Sequence, residues 1–133
     1  MRRALALAGY FKGLKDSTTT PKWFYDELNS EFHFDFDPCP VNPYFDGLTI
    51  EWGKCNYVNP PYSDKVPWIT KAIQECIKGK TVVMLLPVDT STDWFHDLVK
   101  PFAKEIRFLR RRLTFPPNKT PAAYPSMIVV FRP

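Results

Sequence analysis

The residues best suited to chemistry are Asn59-Pro60-Pro61-Tyr62. A side-chain amide carries both donors and acceptors. Proline fixes φ, donates no N–H, and pushes the residue before it toward extended backbone. The carbonyls of Asn59 and Pro60 are thereby held in set directions instead of being drawn into a helix. The Asn59 side-chain oxygen and the Pro60 carbonyl can each accept one N–H from an exocyclic amino group. Two such bonds draw the nitrogen lone pair out of conjugation with its ring and make it a better nucleophile. Tyr62 adds a flat face on which a base removed from its helix can stack. The competing reading is a proline-rich turn that closes a strand, with Tyr62 as packing.

The elements that must position this stretch are legible around it. Cys55-Asn56-Tyr57-Val58 reads as a short buried strand leading into it. Residues 64–78 read as a helix, with Val66, Ile69, Ala72, Ile73, Cys76 and Ile77 at spacings of three and four, and Gly79 suits its C-cap. Residues 81–87, Thr-Val-Val-Met-Leu-Leu-Pro, form an apolar run expected of a strand buried on both faces of a sheet. A polar loop over 89–93 precedes a helix carrying Trp94, Phe95, Leu98 and Val99, which is expected to end before Pro101. Short strands are expected at 105–109 and at 126–131, the latter as an antiparallel edge. Upstream, Thr20 suits an N-cap and Pro21 the first helical position, with Trp23, Phe24 and Leu28 as the apolar face. Residues 32–37 alternate aromatic and polar, a strand pattern ended by Pro38, and 49–52 is a further possible strand. Successive strand-to-helix units point to an α/β class, a mostly parallel sheet with right-handed crossovers.

Composition narrows the function classes. With 133 residues, 44% of them hydrophobic, the chain can bury one small core. Five glycines argue against flexible linkers, and fourteen prolines imply ordered loops. A loosely ordered basic arm is expected over 1–19 and a single domain over 20–133. No apolar run reaches the ~18 residues of a membrane helix, and the apolar start after Met1-Arg2-Arg3 is too short for a signal peptide. Cys39, Cys55 and Cys76 form an odd set without C-x-x-C spacing, which fits a reduced, intracellular setting. The net charge of +4 permits a polyanionic partner. Arg110-Arg111-Arg112, beside Phe115, could contact phosphates or form a solvated basic turn. Asp37, at a strand end before Pro38, could accept bonds from a ligand or open an Asx-turn. Asp46-Gly47 has the composition of a turn. His33 and His96 each lie between apolar residues and read as structural.

Asn59-Pro60-Pro61-Tyr62 matches the catalytic motif of amino-group methyltransferases that use S-adenosylmethionine. Together with Thr20-Pro21-Lys22-Trp23-Phe24, Phe36-Asp37-Pro38-Cys39, Asp46-Gly47-Leu48 and the ending Tyr124-Pro125-Ser126-Met127-Ile128-Val129-Val130-Phe131, it makes nearly the whole chain resemble the small phage-type DNA N-6-adenine methyltransferases. The resemblance implies a reduced Rossmann-like methyltransferase fold and transfer of a methyl group from S-adenosylmethionine to the 6-amino group of adenine in DNA. It implies no metal, no membrane, and a place of action in the cytoplasm, including that of a phage-infected host. Asn59, Pro60, Pro61 and Tyr62 would be catalytic. Thr20 and Pro21 would sit beside the amino-acid end of the cofactor. Asp37, Pro38 and Cys39 would line its site, and Asp46 would meet the amino group of its adenine. Arg110, Arg111, Arg112 and Tyr62 would contact the nucleic acid. The chain departs from larger methyltransferases in having no G-x-G after Asp37, so residues 38–47 are expected to form an irregular loop. Other readings are an amino methyltransferase acting on RNA adenine, DNA cytosine or protein glutamine, or a non-catalytic nucleic-acid-binding protein that kept the fold.

Overall fold

The structure is a computed structural model that describes residues 19–41 and 43–133. Apart from Thr19, the expected basic arm lies outside the described residues. Four strands form one mixed sheet: β1 (Cys55–Val58), β2 (Thr81–Pro87), β3 (Glu105–Phe108) and β4 (Ser126–Phe131), in the spatial order β1-β2-β4-β3. β1 and β2 run parallel, and β4 runs antiparallel to both of its neighbours. The fold is therefore α/β, with three strands pointing one way and β4 the other. The antiparallel strand expected at the edge lies inside the sheet, because β3 pairs along its outer side.

β2 explains the layering. Val82, Met84 and Leu86 point to one face, Val83 and Leu85 to the other, and all five are fully buried. A strand apolar on both sides needs cover on both sides. On the first face lie Trp68, Ile69, Ala72 and Ile73 of α2 (Lys65–Ile77) and Phe95 and Val99 of the segment that follows β2. On the second face lie Phe24 and Leu28 of α1 (Lys22–Phe32), with Leu113 and Phe115 from the long connection between β3 and β4. Arg107 of β3 bonds both Glu105 and Glu31, which ties the edge strand to the end of α1. Gly79 follows α2 at φ +100, the left-handed geometry that stops a helix there.

Several expectations are corrected. The aromatic–polar alternation of 32–37 is not a strand. Phe32 ends α1, His33 turns the chain at φ 58, and only Phe36 bridges, in parallel, to Asn56 of β1. Residues 49–52 form no strand. The helix after β2 does not end before Pro101. A π-helical turn over Phe95–Val99 continues into α3 (Lys100–Phe102), with the Lys100 N–H reaching back to the Phe95 carbonyl. The wider turn accommodates a residue that has no N–H and whose ring crowds the turn before it. Trp23, placed by helical period on the apolar face, is 59% exposed. No helix among the described residues is long and apolar enough to cross a membrane.

Glu75 of α2 is the charge buried in this frame. Its carboxylate accepts the Trp52 N–H at 3.0 Å and meets Lys80 at 2.6 Å, Lys78 at 2.9 Å and Lys71 at 3.4 Å. Burial pushes this carboxyl up, but the lysines and the N–H outweigh it and hold it at about 2. Glu75→Ala leaves the Trp52 N–H without its partner and takes from Lys80 one of its two carboxylates, the other being Glu51 at 2.6 Å. The expected loss is about 3 kcal/mol in urea unfolding at neutral pH, the low end for a broken buried pair because Lys78 is half exposed. A carboxyl held below its ordinary 4.5 stabilises the fold above that value and ceases to as pH falls toward about 2. The gap between wild type and Glu75→Gln should therefore close over that window.

Candidate active site

The strand register brings three connections to one edge of the sheet. Val58 lies opposite Met84, Pro87 opposite Ser126, and Phe108 opposite Met127. The loops that leave β1, β2 and β3 at their carboxyl ends, over 59–64, 88–92 and 109–125, therefore converge. Asp37 joins them, since Phe36 bridges to β1 and its carbonyl accepts the Tyr57 N–H at 3.1 Å. The carboxyl edge is where open α/β sheets hold their ligands.

A cavity of about 340 Å³ opens at this edge, lined by Thr20, Tyr25, Asp37, Cys39, Tyr57 and Asn59 among others. Tyr57 and Asn59, two residues apart on an extended segment, share a face. The Asn59 Nδ2 donates to the Thr20 hydroxyl at 3.2 Å, and the same hydroxyl pairs with the Tyr57 hydroxyl at 2.7 Å. Thr20 is thus not the N-cap of α1. Pro21 occupies that position with no side-chain bond, and the Thr20 side chain turns inward to the end of β1. The contact orients the Asn59 amide, nitrogen toward Thr20 and oxygen away from it. Burial raises the Tyr57 phenol far above its ordinary range, so this hydroxyl stays protonated.

Asp37 opens the turn read from its position and also faces the cavity. Its Oδ1 accepts the Cys39 N–H at 2.9 Å, an Asx-turn, while the carboxyl also lines the cavity. Burial pushes it up to about 6, with the Cys39 N–H pulling the other way. Pro21, Pro38 and Asp46 are not among the residues lining the cavity. Asp46 holds a turn instead: its Oδ1 accepts the Leu48 N–H at 3.0 Å and its carbonyl the Thr49 N–H at 3.0 Å. The two ends of the 38–47 segment, Pro38 and Gly47, are drawn together. The Trp52 indole N–H donates to the Gly47 carbonyl at 2.7 Å, and a Cβ on Gly47 would stand 1.9 Å from the Pro38 carbonyl oxygen. Only glycine permits that backbone approach.

Beyond Asn59 the backbone turns. Pro60 and Pro61 are buried, and Pro61 is extended at φ −62, ψ 131. Among the described residues no group donates to the Pro60 carbonyl. Tyr62 lines a second hollow, of about 310 Å³, with Lys65, Pro87, Asp89, Trp94 and Tyr124. Lys65 donates to the Tyr62 carbonyl and lies 5.5 Å from the centre of the Trp94 ring. The Tyr62 ring meets Phe115 edge-on at 6.3 Å. Burial raises its phenol, and the neighbouring Ser126 hydroxyl partly offsets this, although the two do not reach hydrogen-bond geometry. Arg110, Arg111 and Arg112 lie elsewhere on this edge, exposed, in a groove beside α1.

Sequence reasoning missed Tyr57 as a member of the site. The signal was present in its period-two relation to Asn59, which puts any side chain at 57 beside the one at 59. It also missed that the Thr20 hydroxyl would leave the helix end for a partner 37 residues away.

Fold and geometry define an α/β protein with a cavity at the carboxyl edge of its sheet, beside an oriented asparagine amide. The family described as DNA N-6-adenine-methyltransferase (Dam) matches residues 10–133. The chain is 37% identical over 142 residues to the DNA N-6-adenine-methyltransferase of Haemophilus phage HP1, covering 92% of this chain and 82% of that protein. It is 40% identical over 65 residues to the DNA N-6-adenine-methyltransferase of Escherichia phage T1, covering 47% of this chain and 27% of that one. The chain belongs to the DNA N-6-adenine-methyltransferase (Dam) family.

The Thr20 contacts yield a stability test. Thr20→Val strips a buried phenol and an amide of their shared partner, which should cost about 1–3 kcal/mol in urea unfolding. Adding Tyr57→Phe removes the stranded hydroxyl and should recover part of that loss. A double variant no more stable than Thr20→Val alone would mean that the pair is not coupled.

Proposed function

We propose that this chain methylates the 6-amino group of adenine in DNA, with S-adenosylmethionine as donor, on a reduced Rossmann-like methyltransferase fold. The observation that carries the reading is the Asn59 amide oriented by Thr20 next to the Pro60 carbonyl, to which none of the described residues donates, at the end of β1. The Asn59 Oδ1 and the Pro60 carbonyl accept the two N–H bonds of the amine. The nitrogen loses its conjugation with the ring, and its lone pair becomes the nucleophile. Tyr62, with Trp94 and Tyr124 nearby, offers aromatic surface to the extruded base in the second hollow.

The first cavity fits the donor's amino-acid end. Asp37 supplies a carboxylate to an ammonium or to ribose hydroxyls, and Thr20 and Cys39 line the same space. The loop over 38–47 stands where larger enzymes have a glycine cradle. When bound, the donor supplies a methyl group on a positively charged sulfur, which leaves as a neutral thioether. The proton released from the amine passes to water, so the residues need only position and desolvate the amine. Holding two reactants in line is worth about 7–11 kcal/mol in well-oriented cases. Arg110, Arg111 and Arg112 are the proposed phosphate contacts. On this reading the enzyme works in the cytoplasm of the cell that holds its DNA.

The decisive experiment is transfer of a labelled methyl group to DNA, RNA and protein in parallel, with the methylated atom mapped. Label on adenine N6 in DNA supports the reading. Label on cytosine, RNA or glutamine would replace it. Asn59→Ala should abolish turnover while costing only about 1 kcal/mol of stability, that of one hydrogen bond. A folded Asn59→Ala protein with near-normal turnover would reject the amine clamp.

Asp37 sets a pH dependence. Only the ionised carboxylate accepts from an ammonium, and its pKa of about 6 means that donor affinity should rise from pH 5 to pH 7. Asp37→Asn should flatten that profile in calorimetric titrations with S-adenosylmethionine. The same shift acts on folding with the opposite sense. The folded state keeps its proton above the ordinary 3.8, so the unliganded protein loses stability as pH rises toward about 6.

A further inference from the structure

We infer that the groove between α1 and residues 109–114 holds the DNA strand next to the target adenine, with Arg110–Arg112 on its phosphates and Trp23 stacked on a neighbouring base. The inference rests on the DNA-methylating reading above. It assigns a role to Trp23 and a path to the strand that the amine clamp does not require.

Two independent observations carry it. Trp23 is 59% exposed, while Trp52 and Trp68 are 4% and 2% exposed. Its ring makes an edge contact with Phe24 at 5.6 Å, which leaves most of the indole open. It borders a groove of about 440 Å³, together with Leu109, Arg110, Arg111, Arg112 and Thr114. The second observation concerns charge. Arg107, a few residues earlier, is committed to Glu31 and Glu105. Arg110, Arg111 and Arg112 are exposed and make no ion pair among the described residues, and Glu27 is the acidic side chain lining this groove. A solvated turn would account for the arginines but not for the indole beside them. Cations along a groove and an open aromatic face are together the chemistry that holds a nucleic-acid strand: phosphates for the guanidinium groups, a base for the ring.

The groove also borders the site. Thr20 bonds Asn59, and Trp23 is three residues on, so their Cα atoms are at most about 11 Å apart. That is roughly three base-pair steps of 3.4 Å. On the other wall the Thr19 N–H bonds the Pro116 carbonyl at 3.1 Å, which anchors the connection carrying the arginines to the same segment. A base next to an extruded adenine has lost a stacking neighbour, and the open indole can replace it.

The test uses the full chain and a duplex oligonucleotide carrying a site that the wild type methylates, located beforehand by mapping on plasmid DNA. Binding is measured across a salt series for wild type, Trp23→Ala, Trp23→Phe and the triple variant Arg110→Gln, Arg111→Gln, Arg112→Gln. Trp23→Ala should weaken binding roughly ten- to hundredfold with the salt slope unchanged. The triple variant should lower the slope by about 0.9 for each phosphate that is no longer neutralised. DNA should quench tryptophan emission in the wild type, and Trp23→Phe should lose a large part of that quenching, the remainder coming from Trp94 at the second hollow, while binding nearly as well. The series is repeated in an Asn59→Ala background, so that failure of the amine clamp and failure of the groove are read separately. Wild-type affinity in Trp23→Ala, full quenching in Trp23→Phe, or an unchanged slope in the triple variant would overturn the inference. If Trp23→Ala does not fold, as judged by circular dichroism, the Trp23→Phe quenching decides.

Discussion

Much of this structure follows from one strand having no polar side. Residues 82–86 of β2 are apolar at every position and fully buried. A strand of that kind must be paired on both edges and covered on both faces, or its side chains and ladder groups are left in water. β1 and β4 supply the edges. α2 and the π-helical segment supply one face, and α1 with the β3–β4 connection supplies the other. Once those requirements are met, the carboxyl ends of β1 and β2 fall side by side, and the loops that leave them have one place to go. The site is a by-product of how β2 is buried.

Apolar packing cannot aim an amide, however. Val58 and its neighbours would be as well buried with the Asn59 side chain turned either way. The direction comes from Thr20, a residue from a different layer whose hydroxyl links Tyr57 and Asn59. Because Tyr57 is buried and stays neutral, the link involves no charge and needs no counter-ion. In a poorly polarisable interior such a bond is stronger than in water, and an unmet partner there is correspondingly costly. The same contact fixes α1 against the sheet and brings Trp23 to the rim.

What the sequence made legible, and what it hid, divides along the range of the interactions. Residues 55–58, 65–77, 81–87 and 126–131 form the elements expected of them, because period and burial are local signals. The Asn-Pro-Pro-Tyr stretch stood out for another reason: its prolines restrict the backbone of four consecutive residues of distinct chemistry. The interior place of β4 was hidden, since nothing in Ser126–Phe131 says that β3 will lie outside it. Thr20 could cap a helix or bond across the fold, and the choice depended on Tyr57, 37 residues away. Residues 32–37 carry a clean alternation, but His33 turning at φ 58 leaves only Phe36 to pair. Trp23 and Phe24 are adjacent aromatics on one helix, and periodicity alone does not say which of them faces the core. Pro101 marks a helix end in most contexts, and only the widened turn before it lets the helix pass.

The position of β4 has a consequence for synthesis. Of the four described strands it is the last to leave the ribosome, yet it lies between two made earlier. Until residue 126 emerges, β2 exposes one edge and β3 has no partner at all. The nascent chain can assemble β1, α2 and β2, a local unit, but not the sheet. During that interval a flat, apolar edge is open to other chains. Completion therefore depends on pairings as distant in sequence as Val82 with Phe131, the kind that form slowly. Translation delivers the loop with the asparagine well before the strand that seals the sheet behind it.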